Sequence, residues 1–140
     1  MRSSLAFLLA AAVLPVAAQT AAPTSALTAP RDGQAIYREA CMACHASGLN
    51  KAPKPGDTKE WAQRLREGQP DLTAVAWTGI RQMPAKGGRD DLSLEEFSRA
   101  VAWMARQSGG SWQDPDAAML ARIQAVVKKR EARAKKTTSG

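Results

Sequence analysis

Apolar residues recur every three or four positions in several stretches of the chain, and this spacing predicts α-helices. The clearest helix runs from residue 92 to about residue 107, and Ser93 with Glu96 forms a capping box near its start. Its apolar stripe, which should face a core, consists of Phe97, Ala100, Val101 and Met104. We find no convincing strand anywhere in the sequence, so the pattern favours an all-α fold.

Three shorter helices are predicted before this one. Asp32 caps the first, which runs to about Ala40 with Ile36 and Tyr37 on its apolar face. Asp57 or Thr58 caps the second, through about residue 67, and Asp71 caps the third, which Gly79 closes. The inward side chains of the second and third helices are Trp61, Leu65, Leu72, Val75 and Ala76, whereas Trp77 fits either core or surface.

The last part of the chain, residues 109–140, reads as an extra basic amphipathic helix and tail. Asp114 caps the helix and Pro115 takes its first position. The apolar stripe consists of Met119, Leu120, Ile123, Val126 and Val127, and residues 128–136 are mostly Lys and Arg. Either this helix contacts an anionic partner or lipid head groups, or it packs back on the domain and ends in a solvated tail.

The first residues have the pattern of a secretory signal peptide. Arg2 precedes an apolar run of about 12 to 14 residues, which is short of the roughly 20 needed to span a bilayer. We expect residues 1–18 to be removed by cleavage near Ala18, with retention as a membrane anchor as the alternative. Residues 19–30 are rich in Ala, Thr, Ser and Pro and predict a flexible leader.

The sequence Cys41-Met42-Ala43-Cys44-His45 is the attachment signature of c-type haem. Each thiol adds to one haem vinyl group, and the following histidine is placed under the iron as the proximal ligand. A zinc site needs four ligands, and the chain holds two cysteines and one histidine. A dithiol redox site, the other alternative, usually lies near a βαβ pattern. We therefore predict one covalent haem c, held through Cys41 and Cys44.

Met83 is the best candidate for the ligand on the far face of the iron. It lies in a Pro/Gly loop that can aim its sulfur, and a thioether suits haem iron and raises its reduction potential. Met42 lies inside the attachment turn, Met104 is in a helical core stripe and Met119 is in the tail. The alternative is that Met83 only fills the core.

Residues 32–104 resemble a class I c-type cytochrome, and most closely the cytochrome c-five family. The matching segments are Tyr37, the haem motif, 52–57, Trp61, Arg64, Gly79, Met83-Pro84-Ala85-Lys86-Gly87-Gly88, 92–96 and 100–104. The resemblance implies an all-α domain, here residues 31–108, with haem between crossing N- and C-terminal helices. It also implies His45 and Met83 as axial ligands. Arg89-Asp90-Asp91 stands where some members carry a further cysteine pair, so that disulfide is not expected.

An iron with both axial positions filled has no vacant site for a substrate, which predicts an electron carrier rather than an enzyme. Export and c-type haem together point to a bacterial periplasm. The net charge of +7 favours redox protein partners with acidic docking surfaces, and residues 128–136 could also touch an anionic membrane. Nucleic acid is not expected as a partner of an exported protein. The alternative function is a haem-bearing subunit tethered in a larger respiratory oxidoreductase complex.

Overall fold

A computed structural model describes residues 31–138, and within this range the regular structure is helical apart from one isolated bridge between Ile80 and Met83. The elements are α1 (Gly33–Ile36), a π-helical turn (Tyr37–Cys41), α2 (Met42–His45), a first 3₁₀ turn (Leu49–Lys51), α3 (Thr58–Glu67), α4 (Gln69–Thr78), a second 3₁₀ turn (Ala85–Gly88), α5 (Leu94–Gln107) and α6 (Ala117–Thr138). The all-α prediction is confirmed. The predicted signal peptide (1–18) and leader (19–30) lie outside the described residues.

The N-terminal helical stretch packs against α5. Asp32 caps α1 as predicted, because its carboxylate accepts a hydrogen bond from the Ala35 amide at 2.8 Å. A Cβ atom at Gly33 would lie 2.2 Å from the Arg99 carbonyl oxygen, so the two helices approach this closely only because Gly33 has no side chain. Ile36 is fully buried against the apolar stripe of α5. This contact joins the two ends of the predicted domain.

α5 follows its prediction closely except at its start. The helix begins at Leu94, and the predicted capping box between Ser93 and Glu96 is formed. Leu92 is buried in the core but precedes the helix. The stripe residues Phe97, Ala100, Val101 and Met104 are all buried, as predicted.

α3 begins where the sequence indicated. Asp57, rather than Thr58, is its N-cap, because the Asp57 carboxylate accepts a hydrogen bond from the Glu60 amide at 3.0 Å. Trp61 is buried as predicted, and Leu65 packs half-buried beside it. α3 therefore turns its apolar side towards α5.

α4 begins earlier than predicted, and the prediction that Asp71 caps it is wrong. The helix starts at Gln69, Gly68 is the N-cap and Pro70 lies in the first turn. Proline presets the helical φ angle and needs no hydrogen-bond partner there. The side-chain Nε2 of Gln69 also donates to the Gln113 backbone carbonyl at 2.8 Å, which fixes this end of α4 against the segment before α6.

α6 lies against α4. Ile123 and Val127 are buried together with Ala74 of α4, so the first half of α6 packs back on the domain. The second half is largely exposed. Within residues 31–138, no helix is both long and apolar enough to cross a membrane.

The start of α6 differs from the prediction, because Asp116 rather than Asp114 caps it. The Asp116 carboxylate accepts a hydrogen bond from the Met119 amide at 2.7 Å. The Asp114 carboxylate instead accepts from Arg106 at 2.9 Å. Asp114 therefore forms an ion pair with α5 instead of capping α6.

Candidate functional site

A cavity of about 980 Å³ lies among α2, α3, α4, α5 and the loop before the second 3₁₀ turn. The four side chains singled out in the sequence all line it, namely Cys41, Cys44, His45 and Met83. Its apolar walls are formed by Leu72, Val75, Ala76, Phe97, Val101 and Met104. The volume is within the range of small-molecule and cofactor sites. The structure therefore gathers two distant motifs around one mostly apolar space.

The imidazole of His45 is held in one orientation. Its Nδ1 atom lies 2.9 Å from the Pro53 carbonyl oxygen. Because a carbonyl oxygen only accepts, Nδ1 is the donor in this contact, and in the neutral imidazole Nε2 then carries the free lone pair. His45 is 8% exposed and lines the cavity. A buried histidine with a fixed tautomer and a free Nε2 lone pair is the usual arrangement of a metal ligand.

The loop that holds Pro53 is itself tied down. The Trp61 indole donates to the Lys54 carbonyl at 2.9 Å. The amide of Gly56 donates to the Ser108 hydroxyl oxygen at 3.0 Å, at the end of α5. The His45 orientation thus depends on α3 and α5, not only on the motif.

Both cysteines line the cavity, Cys41 half-buried and Cys44 exposed. Cys41 ends the π-helical turn, where the Met42 amide donates to the Tyr37 carbonyl. Single π-turns of this kind are frequent at functional sites. Burial raises the pKa of the Cys41 thiol to about 11, with Arg89 opposing the rise and Cys44 adding to it. Cys41 is therefore mostly in its thiol form at neutral pH.

Met83 is fixed by a tight turn. The amide and carbonyl of Met83 exchange hydrogen bonds with those of Ile80, at 2.9 and 3.0 Å. Gly79 enters this turn with φ 84° and ψ 149°, and a Cβ there would lie 2.9 Å from the Ala85 amide nitrogen. Only glycine accommodates both the backbone angles and the contact. The turn therefore holds the half-buried Met83 at the cavity wall.

Of the other methionines in the described part of the chain, Met42 and Met119 do not line the cavity, whereas Met104 does. Met42 is 45% exposed and does not line the cavity. Met119 packs half-buried beside the contact between α6 and α4. Met104 is 4% exposed in a cluster with Tyr37 and Trp61, and it also lines the cavity. The helical stripe correctly predicted that Met104 is buried, but it did not indicate that the stripe borders the site.

Several polar side chains without a role predicted from the sequence also line the cavity. They are Asn50, Lys51, Gln63, Arg64, Glu67, Arg81 and Gln82. Arg64 is the most firmly held of them, because its guanidinium donates to the Glu60 carbonyl at 2.7 Å and pairs with the Glu60 carboxylate at 3.3 Å. The spacing of Trp61 and Arg64, three residues apart on α3, was the available signal that both reach one side.

Comparison with known proteins finds matches over the part of the chain that lines the cavity. The family model "Cytochrome C oxidase, cbb3-type, subunit III" matches residues 28–104. Cytochrome c-555 of Chlorobaculum tepidum is 39% identical over 80 residues, which cover 54% of this chain and 74% of the relative. Cytochrome c5 of Azotobacter vinelandii is 36% identical over 77 residues, covering 54% and 93%. The solved cytochrome c chain from an electron transfer complex with nitrite reductase matches with TM-score 0.53 and 39% identity, covering 54% and 93%.

The chain therefore belongs to the family of c-type cytochromes that this model describes. The predicted resemblance to class I cytochromes such as cytochrome c5 is confirmed, as is the all-α cytochrome c fold. The relatives are electron-transfer cytochromes, which supports the same general role for this chain. The family match ends at residue 104, so α6 lies beyond it.

Proposed function

We propose that the protein is a periplasmic electron carrier with one haem c, attached through Cys41 and Cys44 and ligated by His45 and Met83. The observation that carries the proposal is the convergence of these four side chains on one cavity with apolar walls. The donor set fits haem: two thiols one turn apart, an imidazole with a free Nε2 atom, and a thioether from a separate loop. When bound, haem supplies an iron centre that changes its charge by one electron.

The residues around these four side chains would then have defined roles. Pro53 keeps His45 in the tautomer that can ligate, and the turn around Met83 keeps the sulfur in place. The apolar side chains of α4 and α5 exclude water from the cavity, which limits reorganisation when the charge changes. If His45 and Met83 both held the iron, no position on it would remain for a substrate. The arrangement therefore suits electron transfer rather than catalysis.

Arg64 offers a position for the acidic edge of the cofactor. Haem carries two propionates, and a guanidinium with a fixed orientation is a suitable partner for a carboxylate. The hydrogen bond from Arg64 to the Glu60 carbonyl orients the guanidinium at the cavity wall. We infer that Arg64 binds one propionate.

Export to the periplasm belongs to the same proposal. Residues 1–18 would direct secretion, and cleavage near Ala18 would leave a leader of residues 19–30 ahead of the haem domain. Thioether formation takes place outside the cytoplasm, so the signal pattern and the Cys-x-x-Cys-His motif support each other.

Mass spectrometry of the protein purified from its native host tests attachment and processing together. We expect one mass that corresponds to a chain starting near Gln19 plus a single haem. In the Cys44→Ser variant, one thioether is lost, so we expect haem to be released under denaturing conditions from a larger fraction of the protein. A colourless native protein with two unmodified thiols would contradict the proposal.

A second candidate is a haem-bearing subunit of a larger respiratory complex. The description of the matching family names an oxidase subunit, and α6 adds a surface beyond the family match. Gel filtration of a native extract separates the two candidates. A haem-containing species of the size of the single chain supports the carrier, and co-elution with a large complex supports the subunit.

A further inference from the structure

The second half of α6 forms one side of a cleft that is separate from the haem cavity. The cleft has a volume of about 430 Å³ and lies between the end of α4, the second 3₁₀ turn and α6. The lining residues that matter here are Trp77, Thr78, Lys86, Arg130, Glu131 and Arg133. The buried contact of Ile123 and Val127 with α4 holds the basic end of α6 in this place.

The cleft carries more positive than negative charge. Arg130 is fixed by a hydrogen bond from its Nε atom to the Thr78 hydroxyl oxygen at 3.0 Å. Within residues 31–138, no carboxylate lies at ion-pair distance from Arg130 or Arg133. Lys86 lies 5.3 Å from the Trp77 ring centroid. Among the described residues its ion-pair partner is Asp90, whose side chain is 99% exposed. Two separate elements thus present cations to the same space.

The cleft is also close to the haem cavity. Trp77 packs edge-on against Phe97, with 5.3 Å between ring centroids, and Phe97 lines the haem cavity. Lys86 follows Met83 by three residues, on the turn that continues the Met83 loop. A molecule in the cleft would therefore be separated from the cavity by little more than these two aromatic side chains.

We propose that this cleft is the docking site for an acidic segment of the protein's redox partner; the inference rests on the electron-carrier function proposed above. Arginine pairs with carboxylates in a fixed, often bidentate geometry, and opposite charges steer association. The family match supplies Trp77 and Lys86, and α6, beyond the match, supplies the two arginines.

The shape of the site favours a protein over a membrane. A cleft of this volume accepts a few protruding side chains, whereas a lipid surface would meet the exposed cations of α6 such as Lys128 and Lys129, which do not line the cleft. The concave position of Arg130 and Arg133 therefore points to carboxylate side chains.

The test is a titration of the full-length holoprotein with an octaglutamate peptide at low salt, followed by backbone amide chemical shifts. We expect the shifts to concentrate at Thr78, Lys86 and residues 130–134. The Arg130→Gln/Arg133→Gln variant should bind the peptide roughly five- to tenfold more weakly, because two charged contacts are lost. The control Lys128→Gln/Lys129→Gln, with the same change in net charge, should bind within about twofold of the wild type.

Two other ligands, inorganic phosphate and vesicles containing phosphatidylglycerol, test whether the cleft prefers carboxylates. An arginine-to-lysine variant tests whether weaker binding comes from a folding defect. Phosphate binding as tight as that of the peptide, or vesicle binding that depends on Arg130 and Arg133, would overturn the proposal. The Arg130→Lys/Arg133→Lys variant should bind the peptide about threefold more weakly than the wild type, a smaller loss than in the glutamine variant, because the charge remains while the bidentate geometry is lost.

Failure of the docking site can be told apart from failure of the proposed function. Peptide binding that is weakened equally in Arg130→Gln/Arg133→Gln and in Lys128→Gln/Lys129→Gln, with normal haem absorbance, would contradict the docking site alone. Absence of haem from the purified protein would contradict the electron-carrier function, whatever the peptide does.

Discussion

Replacing Ile123 by alanine should loosen α6 from α4. Ile123 has no exposed surface and packs with Ala74 and Val127, so the substitution leaves a gap in the centre of that contact. Buried Ile→Ala substitutions cost about 2–5 kcal/mol, depending on how far the surroundings collapse into the gap. This cluster is small and bordered by half-buried side chains that can move, so we expect a loss of about 2–3 kcal/mol.

Urea unfolding of the holoprotein, followed by far-ultraviolet circular dichroism, measures this loss. Denaturant slopes for small proteins are about 1–3 kcal/mol per molar urea, so the midpoint should fall by roughly 1 M. Gln124→Ala, on the exposed side of the same turn, is the matched control and should change stability by less than about 0.5 kcal/mol. Equal midpoints for Ile123→Ala and Gln124→Ala would refute the packing of α6 on α4.

Three other substitutions test separate features. Thr73 is fully buried and, within the described residues, its hydroxyl has no hydrogen-bond partner. Thr73→Val should therefore leave the stability unchanged or raise it by up to about 1–2 kcal/mol in thermal unfolding. A clear loss of stability would show that the hydroxyl has a partner. Gly79→Ala should cost about 1–3 kcal/mol of stability, because the turn that fixes Met83 cannot accept a Cβ. The same substitution should weaken the near-infrared band of iron–methionine bonding. An unchanged band and stability would refute the role of Gly79 in fixing Met83. Arg89 donates hydrogen bonds to Asp91 and lowers the pKa of that carboxyl from 3.8 to about 2, so the pair stabilises the fold above pH 3.8 and is lost as the pH falls towards 2. Asp91→Asn should flatten the acid side of a curve of melting temperature against pH, and an identical acid side would contradict the pairing.

The features that were predictable from the sequence depend on neighbours in the chain. Asp32, Asp57 and Ser93 cap helices through hydrogen bonds to amides three residues away, so the local sequence contains all the required groups. The stripe of α5 is likewise set by helical spacing alone. The proposed haem attachment motif is likewise local, because its two cysteines and its histidine lie within five consecutive residues.

The features that were missed depend on contacts between distant segments. Gln69 bonds to Gln113, and Asp114 is drawn to Arg106, so the starts of α4 and α6 differ from their local signals. The place of Trp77 was open because it is set by Phe97 on another helix. Spacing along one helix could show that a residue is buried, but not that it borders a cavity.

The apolar character of α4 is explained by its two neighbours. Leu72, Val75 and Ala76 line the cavity on one side, and Ala74 packs on α6 on the other. A helix that is covered on two sides loses the clear polar face of a surface helix. The apolar stripe of the last helix predicted that it could pack back on the domain, but spacing within that helix did not indicate that α4 would be its partner.

The most direct test of the central claim compares Met83→Leu with Met104→Leu in the oxidised holoprotein. Both side chains line the cavity, and leucine preserves their volume while removing the sulfur. If Met83 is the axial ligand, Met83→Leu abolishes the near-infrared iron–methionine band and lowers the reduction potential, and Met104→Leu leaves both nearly unchanged. Loss of the band in Met104→Leu with its retention in Met83→Leu would contradict the account.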